Sequence, residues 1–256
     1  MFKRLIDSIL ASSKKFFPLN SFLRYQNKFL RRITSASHHL QYKIDWVSNN
    51  PESFDHYLDL YWQWKKTRKA YPMERGVFSN FAIRQGAEVL DLCCGDGFNA
   101  YYFYSIRSRR VVSVDFDAYV IKWAKRNNSA KNIEYKVCDI RNEFPEGLYD
   151  NVIWDAAIEH FTADEIKEIM PNIKKALRDN GVLSGHTIME SITGVKHLHQ
   201  HEYEFHDKED LLQFLKPWFN KVHVFTTHYD DRINLYFYAT DSSLPFETEQ
   251  NLYFEK

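Results

Sequence analysis

The chain has few cysteines, no long apolar run and no net charge, and each shortage excludes a class of protein. Three cysteines in 256 residues, Cys93 and Cys94 side by side and Cys138 apart, give neither a disulfide framework nor zinc-site spacing and point to a reducing compartment. The N-terminal apolar stretches fall short of the roughly 18 uninterrupted apolar residues that a transmembrane helix needs, so no span is predicted. The opening is basic and then apolar, but Asp7, Ser8 and Lys14-Lys15 interrupt it and no small-residue cleavage site follows, which argues against a secretory signal. An apolar content of 44% is ordinary for a globular protein, and the length suits one large α/β domain with an extension.

The zero net charge conceals an uneven distribution. Between Met1 and Ile44 nine cationic side chains stand against Asp7 alone, a net +8 that the remainder of the chain balances. The same segment has apolar residues at helical spacing, Phe2, Leu5, Ile6, Ile9 and Leu10 and then Phe22, Leu23, Phe29, Leu30 and Ile33, with Pro18 between the two groups. Two readings remain open. The stripe packs on the rest of the chain or on a second subunit, or it enters a bilayer interface while the cations meet anionic headgroups at about 1 kcal/mol each. Nucleic acid would attract the same charges, but no recognised nucleic-acid-binding fold accompanies them, so it is not the expected partner. The chain is therefore divided into a basic amphipathic extension (1–45), a main domain with N-terminal lid helices (46–241) and a tail (242–256). Residues 249–256 resemble a protease-recognition tag and are left out of the fold.

The most informative stretch is Val89-Leu90-Asp91-Leu92-Cys93-Cys94-Gly95-Asp96-Gly97, an apolar run that ends in a small-residue turn. A second apolar run, Val111 to Val114, ends at Asp115, 18 residues past Gly97. Small residues let backbone approach a ligand, and an acid at the carboxyl end of the next parallel strand is placed to accept hydrogen bonds from ribose hydroxyls. A nucleoside cofactor is implied. Gly95-x-Gly97-x-x-Ala100 also fits the relaxed dinucleotide fingerprint, which keeps a nicotinamide-dependent oxidoreductase as an alternative.

From Gly76 to Thr240 the chain resembles the class I S-adenosylmethionine-dependent methyltransferases. In that family an acid two residues ahead of the turn, here Asp91, lies near the methionine end of the cofactor. The resemblance makes Cys93, Gly95 and Gly97 the turn, with Cys93 standing where the family usually has glycine. It makes Asp115, with Phe116, the ribose site, and Asp139, with Ile140, the adenine site after a strand over Ile133 to Val137. Tyr149 to Asp155 matches the fourth strand, with Asp155 counted among the cofactor residues, and Ala176 to Leu183 matches the helix and turn leading to the fifth. The implied fold is α/β: a Rossmann-like, seven-stranded, mostly parallel sheet with helices on both faces, an antiparallel last strand and an N-terminal helical extension. Family members often carry N-terminal helices that cover the cofactor, and Asp55 to Lys69 has the periodicity of such a lid.

The acceptor side is expected at the carboxyl ends of strands four and five. Strand four ends in Asp155-Ala156-Ala157-Ile158-Glu159-His160-Phe161, which resembles the Glu-His signature of O-methyltransferases of the ubiquinone pathway and of small-RNA 2′-O-methyltransferases. In the metal-dependent relatives a further acid three residues before the glutamate completes the ligand set. Ala156 stands there, so a divalent metal lacks a complete ligand motif and no metal residue is assigned. After strand five comes His197-Leu198-His199-Gln200-His201-Glu202-Tyr203-Glu204-Phe205-His206. If extended, it puts His197, His199 and His201 on one face and Glu202, Glu204 and His206 on the other.

The methyl group on a sulfonium is already activated, so the protein must align an acceptor and remove its proton. Histidine, with an unperturbed pKa of about 6.5, suits a hydroxyl acceptor near neutral pH. His160 is the expected base, with Glu159, His199 and His201 as further catalytic residues. No Asn-Pro-Pro-Tyr or Asp-Pro-Pro-Tyr follows strand four, which argues against amide and exocyclic-amine methylation. The histidine segment and the late Arg232-Ile233-Asn234-Leu235-Tyr236 strand look like methyltransferases found with bacterial surface-polysaccharide synthesis. The expectation is a cytoplasmic enzyme, peripheral on the inner face of a membrane, that O-methylates a sugar or other glycan hydroxyl. An RNA methyltransferase is the other alternative.

Overall fold

The computed structural model describes residues 17–47, 60, 64, 68–191 and 194–248. It divides into two compact units, Met1–Asn49 and Asn50–Lys256. In the first unit the described residues form one helix, α1 (Phe17–Val47), 31 residues long. Among the described residues no helix is long and apolar enough to cross a membrane.

The second unit runs α2 (Tyr71–Phe81), β1 (Glu88–Leu92), a π-helical segment Ala100–Tyr104 leading into α3 (Ser105–Arg107), β2 (Arg110–Asp115), α4 (Ala118–Asn127), β3 (Ile133–Val137) and β4 (Tyr149–Asp155). It continues with a 3₁₀ turn Ile158–His160, α5 (Ala163–Ala176), β5 (Leu177–Ile188), α6 (Lys208–Leu215), β6 (Lys221–Tyr229), β7 (Arg232–Thr240) and α7 (Pro245–Thr248). The seven strands form one sheet in the order β3-β2-β1-β4-β5-β7-β6. Only β7 runs antiparallel, paired with β5 on one side and β6 on the other. The expected seven-stranded sheet and its antiparallel last strand are both present.

The near-continuous apolar strands follow from burial on both faces. Side chains alternate along a strand, and two cores divide them accordingly. Leu90, Leu92, Val112, Val114, Val152 and Trp154 join α5 and α6 in one, while Val89, Val111 and Ile153 join α4 in the other. On α5 the buried residues Ile166, Ile169, Met170 and Ile173 recur at three and four positions and form a single apolar face. Burying each side chain of that size contributes about 1.5–3 kcal/mol. The helix starts where Thr162 and Glu165 form a reciprocal capping box.

Two expectations change. The turn expected within Ala176 to Leu183 lies inside β5, because β5 enters the sheet at Leu177 and absorbs the extra residues as a register shift against Tyr149 and Asn151 of β4. Gly185 then lets β5 lie close to β4, since a Cβ there would sit 2.0 Å from the Trp154 carbonyl oxygen. Part of the expected tail also belongs to the fold: Leu244 is buried with Ala82, Val182 and Tyr238. Glu247 accepts the Leu244 amide at 2.9 Å and fixes that turn. Residues 249–256 and most of the expected lid segment lie outside the described residues.

Candidate active site

Strand order reverses between β1 and β4, and open α/β sheets place ligands beyond the carboxyl ends of strands at such a point. The turn after β1 lies there. Cys93, Gly95 and Gly97 have φ of 55°, 54° and 75°, the left-handed region. Gly97 is also required by space, because a Cβ would meet the Tyr135 hydroxyl oxygen at 2.3 Å. Tyr135 in turn donates to the Asn128 carbonyl at 2.6 Å, and the Asn128 amide donates to the Asp96 carbonyl at 2.8 Å. β3 and the end of α4 thus support the turn from behind. Beyond it the backbone passes into the π-helical segment, a form frequent at functional sites.

Four acids approach this turn in different states. Asp91 is buried and accepts the Ser113 hydroxyl at 3.0 Å, and burial pushes its carboxyl up to about 8. Asp115 accepts the Gly95 amide at 3.0 Å through Oδ2 and the Asp117 amide at 2.9 Å through Oδ1. It therefore holds the turn through both carboxylate oxygens. Asp139 is held by Arg141, whose guanidinium bonds both oxygens at 2.9 and 3.0 Å, and by Asn142 at 2.9 Å. Those bonds, the Arg141 side chain first, keep its carboxyl below the usual range. The Arg141 guanidinium carbon lies 5.9 Å from the ring centres of both Phe116 and Phe161, with Phe116 exposed. Ile140 is buried in the core.

Asp155, at the end of β4, accepts Arg75 Nε at 2.8 Å and the Asn99 amide at 3.0 Å, both on Oδ2. Burial opposes the Arg75 charge, but Asp155 beside it holds the guanidinium above the ordinary arginine range. His186 of β5 lies with Nδ1 3.7 Å from Asp155 Oδ1, and burial pulls it well below the ordinary histidine value. At pH 7 it is neutral, so the cationic partner of Asp155 is Arg75.

The acceptor side brings the loops after β4 and β5 together. Glu159 and His160 sit on the 3₁₀ turn, where the amides of Glu202 and Tyr203 donate to the Glu159 carbonyl at 2.8 and 3.0 Å. The Glu159 carboxylate is buried and accepts the Thr187 hydroxyl at 3.0 Å. His160 and His201 pack edge to face with ring centres 4.9 Å apart. Donor atoms of Glu159, His160 and His201 all lie within 4.8 Å of one another, a trio that could hold a metal ion, while Ala156 supplies no fourth donor. The segment 197–206 is turned rather than extended, so the expected alternation of faces is lost. In its place His197 and His201 converge on one carboxylate: Glu204 pairs with His197 Nδ1 at 3.1 Å and more closely with His201 Nδ1. Burial lowers the His201 pKa. His199 is exposed on the turn and lies outside the trio.

Residues 89–181 match the family model described as a methyltransferase domain. The chain contains a class I, S-adenosylmethionine-dependent methyltransferase domain. The ribosomal protein L11 methyltransferase of Caldicellulosiruptor bescii is 28% identical over 108 residues, 42% of this chain and 34% of that protein. The chain thus spans about a third of the length of that curated relative. The structure of a DhpI–SAH complex shares the fold at a TM-score of 0.54 and 16% identity, covering 81% of this chain and 95% of that one. The N-methyltransferase NodS from Bradyrhizobium japonicum WM9 does so at a TM-score of 0.55 and 14% identity, covering 66% and 93%.

Gly95 and Gly97 present backbone without Cβ atoms, Asp115 offers its carboxylate beside them, and Asp139 stands partly exposed at the next strand end. Arg75, Asn99 and Ser113 were given no role from the sequence, and Glu204 was placed on the face opposite the histidines that it in fact binds. Arg75, Asn99 and Ser113 each act on an acid distant in the chain, and a single polar residue on a helix or strand carries no local pattern that distinguishes it from a solvated one.

Proposed function

We propose that this protein transfers the methyl group of S-adenosylmethionine to a hydroxyl of a sugar or other glycan acceptor, by in-line displacement with His160 as the base. The observation that carries the reading is the group Glu159, His160 and His201, assembled from two loops at the strand ends that border the cofactor turn. His160 is the more open of the two histidines. A hydroxyl must lose its proton as it attacks, and an imidazole within hydrogen-bond reach accepts it. Asp91, Asp115, Phe116, Asp139 and Ile140 serve the cofactor in this reading, and the Arg75–Asp155 pair closes its inner end. A membrane-linked glycan acceptor would also suit the basic N-terminal segment.

The relatives named for ribosomal protein L11 suggest a protein acceptor as a second reading. Their similarity falls on about a third of their length, and the Asp155-Ala156-Ala157-Ile158 sequence after β4 lacks the Asn-Pro-Pro-Tyr type of motif found in amide and amine methyltransferases. The hydroxyl acceptor therefore ranks first. The NAD-dependent reading accounts for the glycine turn but gives no reason for an antiparallel β7 between β5 and β6. The RNA reading rests on the N-terminal charge alone.

Calorimetric titration of S-adenosylmethionine, and separately of NAD, tests the cofactor; a glycan and protein acceptor panel with radiolabelled methyl donor tests the rest. Binding of the methyl donor alone with label on a glycan hydroxyl is expected. Label on protein amines, or NAD binding alone, would overturn the assignment.

A further inference from the structure

Helix α1 has a second kind of chemistry that the methyl-transfer reading does not use. Over 31 residues it would extend about 46 Å at 1.5 Å per residue. Phe22, Phe29, Ile33, Leu40 and Ile44 are exposed on it by 64%, 59%, 53%, 62% and 62%. At 100° per residue these five fall within a narrow sector on one side of the helix. Arg24, Lys28, Arg31 and Arg32 lie on the remaining circumference, and no acidic residue occurs between Phe17 and Ile44. In the sequence ahead of the helix Lys3, Arg4, Lys14 and Lys15 outnumber Asp7 and extend the same sign of charge.

We infer that α1 is a membrane-surface helix that lies in the interface of an anionic lipid bilayer, with its apolar stripe among the acyl chains and its cations at the headgroups.

Two observations select this occupant over a second copy of the chain. The first is charge. Two such helices face to face would bring like charges together, whereas an anionic surface complements all of them. The second is spacing. Phe22, Ile33 and Ile44 recur every 11 residues, as do Phe29 and Leu40, which keeps the stripe on one side of an ordinary straight helix. A heptad seam begun at Phe22 would pass through Phe29 and Ala36 and reach Lys43, so the pattern lacks the sustained seven-residue repeat of a left-handed coiled coil. A flat apolar boundary accepts such a stripe without supercoiling.

The test is cosedimentation of the full chain with vesicles of phosphatidylcholine alone and of phosphatidylcholine mixed with phosphatidylglycerol. Binding to the anionic vesicles should be at least about tenfold tighter and should weaken as salt is raised. The double substitution Phe29→Glu with Ile33→Glu should abolish binding, and Arg31→Gln with Arg32→Gln should weaken it by roughly tenfold or more. Equal binding to both vesicles, no binding at all, or wild-type binding by Phe29→Glu with Ile33→Glu would overturn the inference. So would a solution dimer that the glutamate pair dissociates, because a second copy would then cover the stripe. S-adenosylmethionine affinity measured on the same samples separates the two proposals: its loss bears on the methyl-transfer reading, and vesicle binding bears on α1.

Discussion

Arg75 donates through Nε to Oδ2 of Asp155 at 2.8 Å and thereby ties the helix before β1 to the carboxyl end of β4. The neighbouring residue on that helix, Glu74, accepts the hydroxyls of Thr227 and Tyr236 at 3.0 Å each, and that of Tyr229. Gly76 follows, where a Cβ would meet the Phe103 ring at 2.2 Å. Three consecutive residues therefore fix α2: Glu74 against β6 and β7, Arg75 against β4, and Gly76 against the π-helical segment, and the middle one reaches the site.

Arg75→Ala should destabilise the protein by about 3 kcal/mol in urea unfolding, because it removes the cationic partner of a buried carboxylate. Arg75→Lys keeps the charge without the planar fork and should cost less. A change under about 0.5 kcal/mol for the alanine variant would remove the ion pair from any account of the fold.

Asp115→Ala should weaken S-adenosylmethionine binding by about tenfold to a hundredfold, since hydrogen bonds to a charged acceptor contribute about 1.5–3 kcal/mol each. The variant also frees the Gly95 and Asp117 amides. Asp115→Asn, which can still accept from them, should recover more of the turn than of the affinity. Unchanged affinity in both variants would refute the ribose assignment.

The strands were legible because apolar runs ending in acids follow directly from burial on both faces. β3 occurs at Ile133–Val137, the residues where the methyltransferase resemblance put the strand before Asp139. The 197–206 segment was misread because alternation was applied to a stretch that, among the described residues, pairs with its neighbours only at the isolated bridge between Met189 and Phe205. Its turn instead makes Glu204 a shared acceptor for His197 and His201, a contact set by tertiary approach to the Glu159 turn. Arg75 was illegible for the same reason: its partner is 80 residues away.

His160→Ala should lower turnover by about a hundredfold or more while leaving S-adenosylmethionine affinity nearly unchanged, the usual contribution of a positioned base. His201→Ala should lower turnover as well, and His199→Ala much less, because His199 lies outside the donor trio. Zinc should inhibit by occupying the imidazole lone pairs, and a chelator should restore activity. Activation by a divalent ion, with loss on chelation, would make the trio a metal centre and His160 a ligand.

Cys93 adopts φ 55°, in the left-handed region where a Cβ is unfavourable. Cys93→Gly should therefore leave stability unchanged or raise it by up to about 1 kcal/mol, the strain relieved being offset by added freedom of the unfolded chain. Cys93→Val, branched at Cβ, should lower it by about 1–3 kcal/mol. If glycine destabilised by as much as valine, the thiol itself would be making the decisive contact.

The buried carboxyl of Asp91 gives a pH dependence with a definite sign. Burial pushes it up to about 8, whereas an unfolded aspartate titrates near 3.9. Between about pH 4 and pH 8 the folded protein thus holds a proton that the unfolded chain has released. Stability from this group is fully present below about pH 4 and is lost as pH rises through about 8, by at most about 1.4 kcal/mol per pH unit for one proton. Asp91→Asn retains an acceptor for the Ser113 hydroxyl and has no proton to lose. Its unfolding free energy should fall less than that of the wild type between pH 5 and pH 8, and the difference between the two proteins should level off above about 8. Parallel curves over that range would mean that Asp91 is ionised in the folded protein, with its charge met by groups at the head of the turn.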